Sequence, residues 1–415
     1  MKRQSSSGLY PPRFWPALII FSLTGQVAWV VENMYFNVFI YKMFNATAAD
    51  ISLMVMASAV MAAVTTLIMG TLSDKLGKRK AFMSWGYILW GISIITFAYI
   101  RSVTLTIVMD CVMTFFGSTA NDAAYNAWLT DRGDSENRGK IEGINSMMPL
   151  ISILIVFGGF MSFNLDEMSA WKTIYYIIGI ATLLIGISGL FIIEDDPNLK
   201  KSEDSFLDTL LYSFRISTFK ENRYLYMILF AFAVFGISIQ IFMPYLIIYY
   251  EKTLSLTNYV LIMAPAIIIA AVITALYGRV YDKKGFEASI DLPLILLFVG
   301  YGLLIAFTNT AIVFIGSLLS YAGYLCGMSV FGAKIRDLIP ENRSGQFQGI
   351  RIINQVFIPG VIGPFIGQSV LKNAELIYNS DGTTSFIPNT NIFLAAMVVI
   401  IILMIVLKFI KRKEA

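Results

Sequence analysis

The chain has 415 residues, of which 57% are apolar and 14% charged, against roughly 45–50% and about 25% in an ordinary soluble domain. A mean hydropathy of +0.70 excludes a water-soluble enzyme of this length, and 14% Phe, Tyr and Trp with few charges excludes disorder. The net charge of +4 comes without a single histidine, so the commonest metal ligand is missing and any proton chemistry falls to carboxylates.

Apolar runs of about twenty residues, each enough to cross a bilayer as a helix, fall in order along the chain. They occupy 15–42, 51–72, 81–100, 104–128, 143–163 and 172–193, then 224–249, 258–279, 288–308, 311–333, 348–371 and 391–410. None alternates in the manner of a barrel strand, so the expected fold is an all-α membrane protein of twelve transmembrane helices. Residues 1–193 form one six-helix half, 194–223 a linker with a short amphipathic helix around Phe206–Phe214, and 224–415 a second half. Cys111 and Cys326 sit in apolar runs and read as small buried hydrophobes. Of the 31 Lys and Arg residues, only Lys42, Arg101, Lys172, Lys252 and Lys372 fall on the side opposite the termini. Basic loops stay inside, so both termini, including the tail Met1–Arg13, are expected in the cytoplasm of a plasma-membrane protein.

The two halves repeat each other. After span two comes Gly70-Thr-Leu-Ser-Asp74-Lys75-Leu-Gly77-Lys78-Arg79-Lys80, and after span eight Gly278-Arg-Val-Tyr-Asp282-Lys283-Lys-Gly285. A second pair, Asp131 with Glu136-Asn137-Arg138 and Asp337 with Glu341-Asn342-Arg343, recurs at nearly the same offset. Six spans per unit make parallel repeats related by an axis along the membrane normal, with a solute cavity between them. In the loop motif Gly70 permits close helix approach and Gly77 a tight turn. Asp74 is expected to accept from helix-end amides or from a basic side chain of the other half, and Lys78 and Arg79 to rest on the anionic leaflet.

The motif at 70–80, its partial copy and the twelve-span plan resemble the major facilitator superfamily, and that resemblance implies its fold and secondary transport. Asn121-Asp122 through Trp128, Asp131-Arg132, Glu136-Asn137-Arg138 and Lys78-Arg79-Lys80-Ala-Phe82 look like the glycoside–pentoside–hexuronide cation symporters and the related sucrose–proton symporters. By that resemblance Asp122 takes the place of the span-four aspartate that serves sugar and cation. The chain departs from the group's sodium site, which falls on Ala62 and Thr66, from its span-five arginine, near Asn145, and from its span-eleven lysine.

Polar residues inside spans are costly and so mark candidate sites. In span one, Gln26, Trp29, Glu32, Asn33 and Asn37 fall in a wedge of roughly 140° at 100° per residue. A tryptophan flanked by amides and a carboxylate suits a sugar, the ring covering its apolar face and the polar groups its hydroxyls; packing between helices is the plainer alternative. Span four puts Ser118, Asp122, Tyr125 and Asn126 on one face, with Thr114 close by. A desolvated Asp122 is suited to carry a proton. Asp110 lies nearer the outer end, where pairing with Arg101 or headgroups accounts for it as well as a site role does. In the second half the candidates are Gln240, Tyr321, Tyr324, Asn354 and Gln355, with Arg351 expected to snorkel. Mainly acidic groups in one half and neutral amides and tyrosines in the other suit a neutral polyol.

The reading that follows is a proton-coupled symporter importing a neutral sugar or glycoside, with Glu32 and Asp122 as coupling residues. It expects no enzyme activity, cofactor, metal or nucleic acid, and a protein working as a monomer. Proton-driven efflux of amphipathic drugs, a lipid carrier and a solute-sensing receptor are the alternatives. No phosphate-binding loop or metal cluster argues for an enzyme.

Overall fold

A computed structural model describes residues 13–132, 138–195, 214–256, 258–339, 344–379 and 382–414. The first six long helices are α1 Phe14–Phe44, α2 Ala48–Leu76, α3 Lys80–Tyr99, α4 Val103–Asp131, α5 Arg138–Phe160 and α6 Met168–Ile192. After a short connecting helix, Ile216–Glu221, come α7 Arg223–Thr253, α8 Val260–Ser289, α9 Asp291–Ala306, α10 Thr310–Leu338, α11 Gly349–Val370 and α12 Asn391–Ile410. Ten of the helices are long and apolar enough to cross a membrane by themselves, and the shorter apolar stretches Met147–Phe160 and Asp291–Ala306 complete twelve. The protein is a multi-pass membrane protein. The Glu136-Asn137 and Glu341-Asn342-Arg343 segments, the Met1–Pro12 part of the tail and most of the expected linker helix lie outside the described residues.

Each half uses the same neighbours: α1 packs on α5 and α6, α2 on α4, and α3 on α4 and α6. In the second half α7 packs on α11 and α12, α8 on α10, and α9 on α10 and α12. Large apolar residues such as Leu53, Trp85, Leu184, Phe230, Val272 and Phe409 are exposed, as a bilayer requires. Even numbers of spans put both termini at one end of the bundle, the near end.

The far end joins the halves. Lys42 reaches Glu251 at 2.7 Å and Asp166 at 3.0 Å, and Tyr245 donates to the Ala48 carbonyl at 2.9 Å. The Tyr259 and Tyr35 hydroxyls lie 3.5 Å apart. Gly360 lets α11 close onto Ala59 of α2, where a Cβ would collide. Strands were not expected, yet the loop between α11 and α12 folds into an antiparallel hairpin, β1 Leu376–Tyr378 with β2 Thr384–Phe386. The hairpin straps the first half: Tyr41 donates to the Phe386 carbonyl at 2.7 Å, and Asn379 and Ser385 both donate to Asn45 Oδ1 at 3.2 Å.

At the near end the expected bridge between halves is replaced by a lock inside the first half. Gly77 ends α2 in the left-handed region at φ 63°, which turns the chain so that Arg79 points back under it. Arg79 is 4% exposed and meets Asp74 at 2.5 Å, Asp131 at 2.8 Å and Ser73 Oγ at 2.8 Å, while its backbone N–H donates to Asp195 at 2.8 Å. Burial works against this guanidinium, but Asp131 and Asp74 outweigh it and hold its pKa above the ordinary arginine value. Asp74 thus ties α2 to α3 and α4 and not to the other half. The reason is length: an arginine five residues on in the same loop reaches it first.

Candidate functional site

Among the described residues, four of the long helices leave regular hydrogen bonding for π turns: Val31–Tyr35 in α1, Ser118–Tyr125 in α4, Tyr249–Thr253 at the end of α7 and Ile353–Phe357 in α11. In α4 the segment is rich in Ser, Thr, Asn and Asp, whose side chains compete for backbone carbonyls; Thr119 Oγ1 donates to Phe115 O at 2.7 Å. One extra residue per π turn rotates everything beyond it by about 100°. Glu32, Asp122, Asn354 and Gln355 all stand on these turns.

The rotation sorts the span-one residues. Gln26 and Trp29 are half-buried, Asn33 is exposed and donates to the Trp29 carbonyl at 2.8 Å, and Asn37 is packed inside at 1% exposure. Trp29 lies 5.1 Å from the Trp90 ring, over Gly117, where a Cβ would come within 3.2 Å of it. On α4, Asp122 is half-buried and Asn126 exposed, its amide donating to the Asp122 carbonyl at 3.1 Å. At ~1.5 Å rise per residue, Asn126, Asp122, Gln26, Trp29 and Asn33 form a strip climbing from near one end to mid-bundle, not one cluster. Polar side chains left open at that depth face the interior cleft, because lipid would not hold them.

Behind the strip, other polar residues are ties. Tyr125 is 2% exposed, with its hydroxyl 3.2 Å from both the Leu18 carbonyl and Asn145 Oδ1, and Ser22 donates to the same Asn145 at 2.6 Å. Tyr87 donates to the Phe21 carbonyl at 2.7 Å beside Asn121. Tyr125, expected to touch solute, holds helices together in this conformation, and Asn37, expected to do the same, is packed inside with its amide donating to the Asn33 carbonyl of its own helix at 3.2 Å. Thr66 donates to the Ala62 carbonyl at 2.7 Å, a bond within its own helix.

Glu32 fills a pocket between α1, α2 and α4. It is 6% exposed, its Oε1 accepts from Ser58 at 2.8 Å and Thr114 at 2.9 Å, and its Oε2 has no partner among the described residues. Asp110 is 2% exposed beside it, within reach of the same Ser58 hydroxyl, and its Oδ1 is likewise unpartnered. That corrects the pairing with Arg101 or headgroups weighed for Asp110: its side turns inward while Arg101 is exposed. Nothing in the sequence flagged Ser58, because its part depends on α2 facing both carboxyls.

The second half offers hydroxyls and amides. Gln240 is half-buried under Gly363 of α11, where a Cβ would come within 2.5 Å of it. Tyr324 is half-buried, and Tyr321 is buried, its hydroxyl without a partner among the described residues, beside a small cavity lined by Phe242, Met243, Leu246 and Tyr250. Asn354 is buried and donates to the Ile350 carbonyl at 2.8 Å. Arg351 donates from Nε to Gln355, one turn further into the bundle, at 3.3 Å. The loop copies behave differently. Gly285 has φ 72°, as Gly77 has φ 63°, but the second copy has Glu287 where the first has Arg79, and Gly278 faces open space. Asp337, the counterpart of Asp131, accepts from Tyr281 at 2.6 Å. Among the described residues no group of three His, Cys, Asp or Glu side chains gathers that could hold a metal.

Residues 14–364 match the model of the Major Facilitator Superfamily. A sugar efflux transporter A from Dickeya chrysanthemi is 23% identical over 46% of the chain and 48% of its own length. A sugar efflux transporter B from Salmonella typhimurium is 22% identical over 46% and 48%. The chain thus aligns with about half the length of these curated relatives. Among solved structures, the nucleoside transporter NupG superposes with a TM-score of 0.72 at 12% identity, covering 95% of this chain and 98% of that one. A bacterial homologue of the human lysosomal transporter Spinster, inward-facing and occupied, gives 0.74 at 15% identity over 98% of both chains. With twelve helices in two like halves and the family match over most of its length, the chain belongs to the major facilitator superfamily of membrane transporters.

Proposed function

We propose that this transporter carries a neutral sugar or glycoside by alternating access, coupled to a proton. The observation that carries the reading is the open strip Asn126, Asp122, Gln26, Trp29 and Asn33 in the first half. An indole face takes the apolar face of a sugar ring, and amides with a carboxylate take its hydroxyls. The names of the two relatives, both sugar efflux transporters, point the same way. The excess of basic residues around the termini supports a near end in the cytoplasm and a far end outside. With the far end strapped and ion-paired, the conformation is then cytoplasm-facing, like the inward-facing Spinster homologue. Glu32 and Asp122, carboxyls desolvated inside the bundle, are the coupling groups.

Arg351, turned toward Gln355, favours a second reading in which the solute is a sugar acid and the guanidinium receives its carboxylate. The test is a panel of neutral sugars, sugar acids and nucleosides added to de-energised cells making the protein, with external pH recorded. Alkalinisation by a neutral sugar supports proton symport, acidification supports proton exchange and hence efflux, and a response to sugar acids alone supports the second reading. Silence across the panel from folded protein contradicts both.

A further inference from the structure

We infer that Asp110 and Glu32, gathered around the Ser58 hydroxyl, form a single proton-binding site that controls opening of the far end and stands apart from the solute strip. The inference rests on the proton coupling proposed above and assigns it to a place. Both carboxyls are more than nine-tenths buried, and each keeps one oxygen without a partner among the described residues. Glu32 Oε1 is already saturated by Ser58 and Thr114, so Oε2 is the atom left to hold a hydrogen. Two carboxylates this close in a pocket that supplies only neutral hydroxyls cannot both stay charged; one proton shared between them removes the repulsion.

The titratable groups facing the pair are Asp122 and Cys111 from α4 and Tyr175 from α6, whose hydroxyl is also buried and unpartnered, while α2 contributes only Ser58. No cation among these groups offsets the pair. The pocket lies beyond Trp29 on the far-end side, where α1 runs on to Tyr41 and Lys42, the residues that hold the far end shut. Losing the proton puts an uncompensated charge into a sealed pocket, which only water entering from the far end relieves. The protonated pair therefore belongs to the closed far end, and the deprotonated pair to the open one.

The test needs no solute, so it stays readable even if the sugar reading fails. Spin labels on cysteines replacing Arg101 and Thr308, exposed at the far ends of the two halves, report the gap in full-length protein with Cys111 and Cys326 changed to Ala. In the parent protein the open-to-closed ratio should rise with pH, by up to about tenfold per pH unit for one proton. Asp110→Asn and Glu32→Gln should flatten that response with the far end closed. Ser58→Ala, a smaller change for use if the amide variants fold poorly, should displace the midpoint. A parent that does not respond, a response of opposite sign, an Asp110→Asn or Ser58→Ala protein that follows the parent, or a gap that answers to sodium at constant pH would each overturn the inference.

Discussion

The two halves share one scaffold and differ in chemistry. Helix neighbours match pair for pair, and Gly77 and Gly285 both adopt positive φ at equivalent places. Yet the first half buries Glu32 and Asp110 and presents Asp122, where the second carries Tyr250, Tyr301 and Tyr321 with Gln240 and Asn354. The near-end loop of the first half is locked by Arg79, and that of the second carries Glu287 at the matching position. Duplication preserved the packing and let charge settle on one side, so coupling is expected from the first half and shape from the second.

That asymmetry can be broken at several points. Arg79→Ala leaves Asp74 and Asp131 facing each other in a packed loop and should lower stability by about 3 kcal/mol, read as a large fall in the melting temperature of the purified protein. Its second-half counterpart test, Asp282→Asn at an exposed site, should stay within about 0.5 kcal/mol. Trp29→Ala removes the ring from the strip and should weaken sugar binding by about 2 kcal/mol, roughly thirtyfold, in a direct binding measurement. Tyr324→Phe, in the second half, should lose no more than about 1 kcal/mol, and equal losses would mean that both halves hold the solute alike. Gly77→Ala and Gly285→Ala should each destabilise by about 1–3 kcal/mol in thermal unfolding, because both turns use backbone that a Cβ strains. A modest effect is expected at the far end. Tyr245→Phe loses one hydrogen bond to Ala48, about 1 kcal/mol at most, and should raise labelling of far-end cysteines severalfold.

Much of the scaffold was legible because it is written in local pattern. Long apolar runs gave the helices, and Gly-x-x-x-Asp-x-x-Gly marked both turns before any coordinate. Asp74 was legible as a partner-seeking carboxylate, but not that Arg79 would claim it, since that depends on how Gly77 redirects the loop. The π turns were the main loss. A fixed 100° per residue kept Asn37 beside Trp29, whereas the turn at Val31–Tyr35 carries it into the packed interior. Ser58, Asn145 and the inward face of Asp110 belong to contacts between helices, which no single span displays. The hairpin was missed because two three-residue strands leave almost no periodicity to read.

The most direct test of the account is the proton that accompanies the solute. Protein reconstituted in liposomes without a membrane potential would receive the sugar that answers in the panel, with pH recorded on both sides for wild type, Asp122→Asn and Tyr324→Phe. The account predicts a sugar-driven proton flux in wild type that survives in Tyr324→Phe and vanishes in Asp122→Asn. Sugar movement with no proton flux in wild type, or a flux that Asp122→Asn leaves intact, would contradict it.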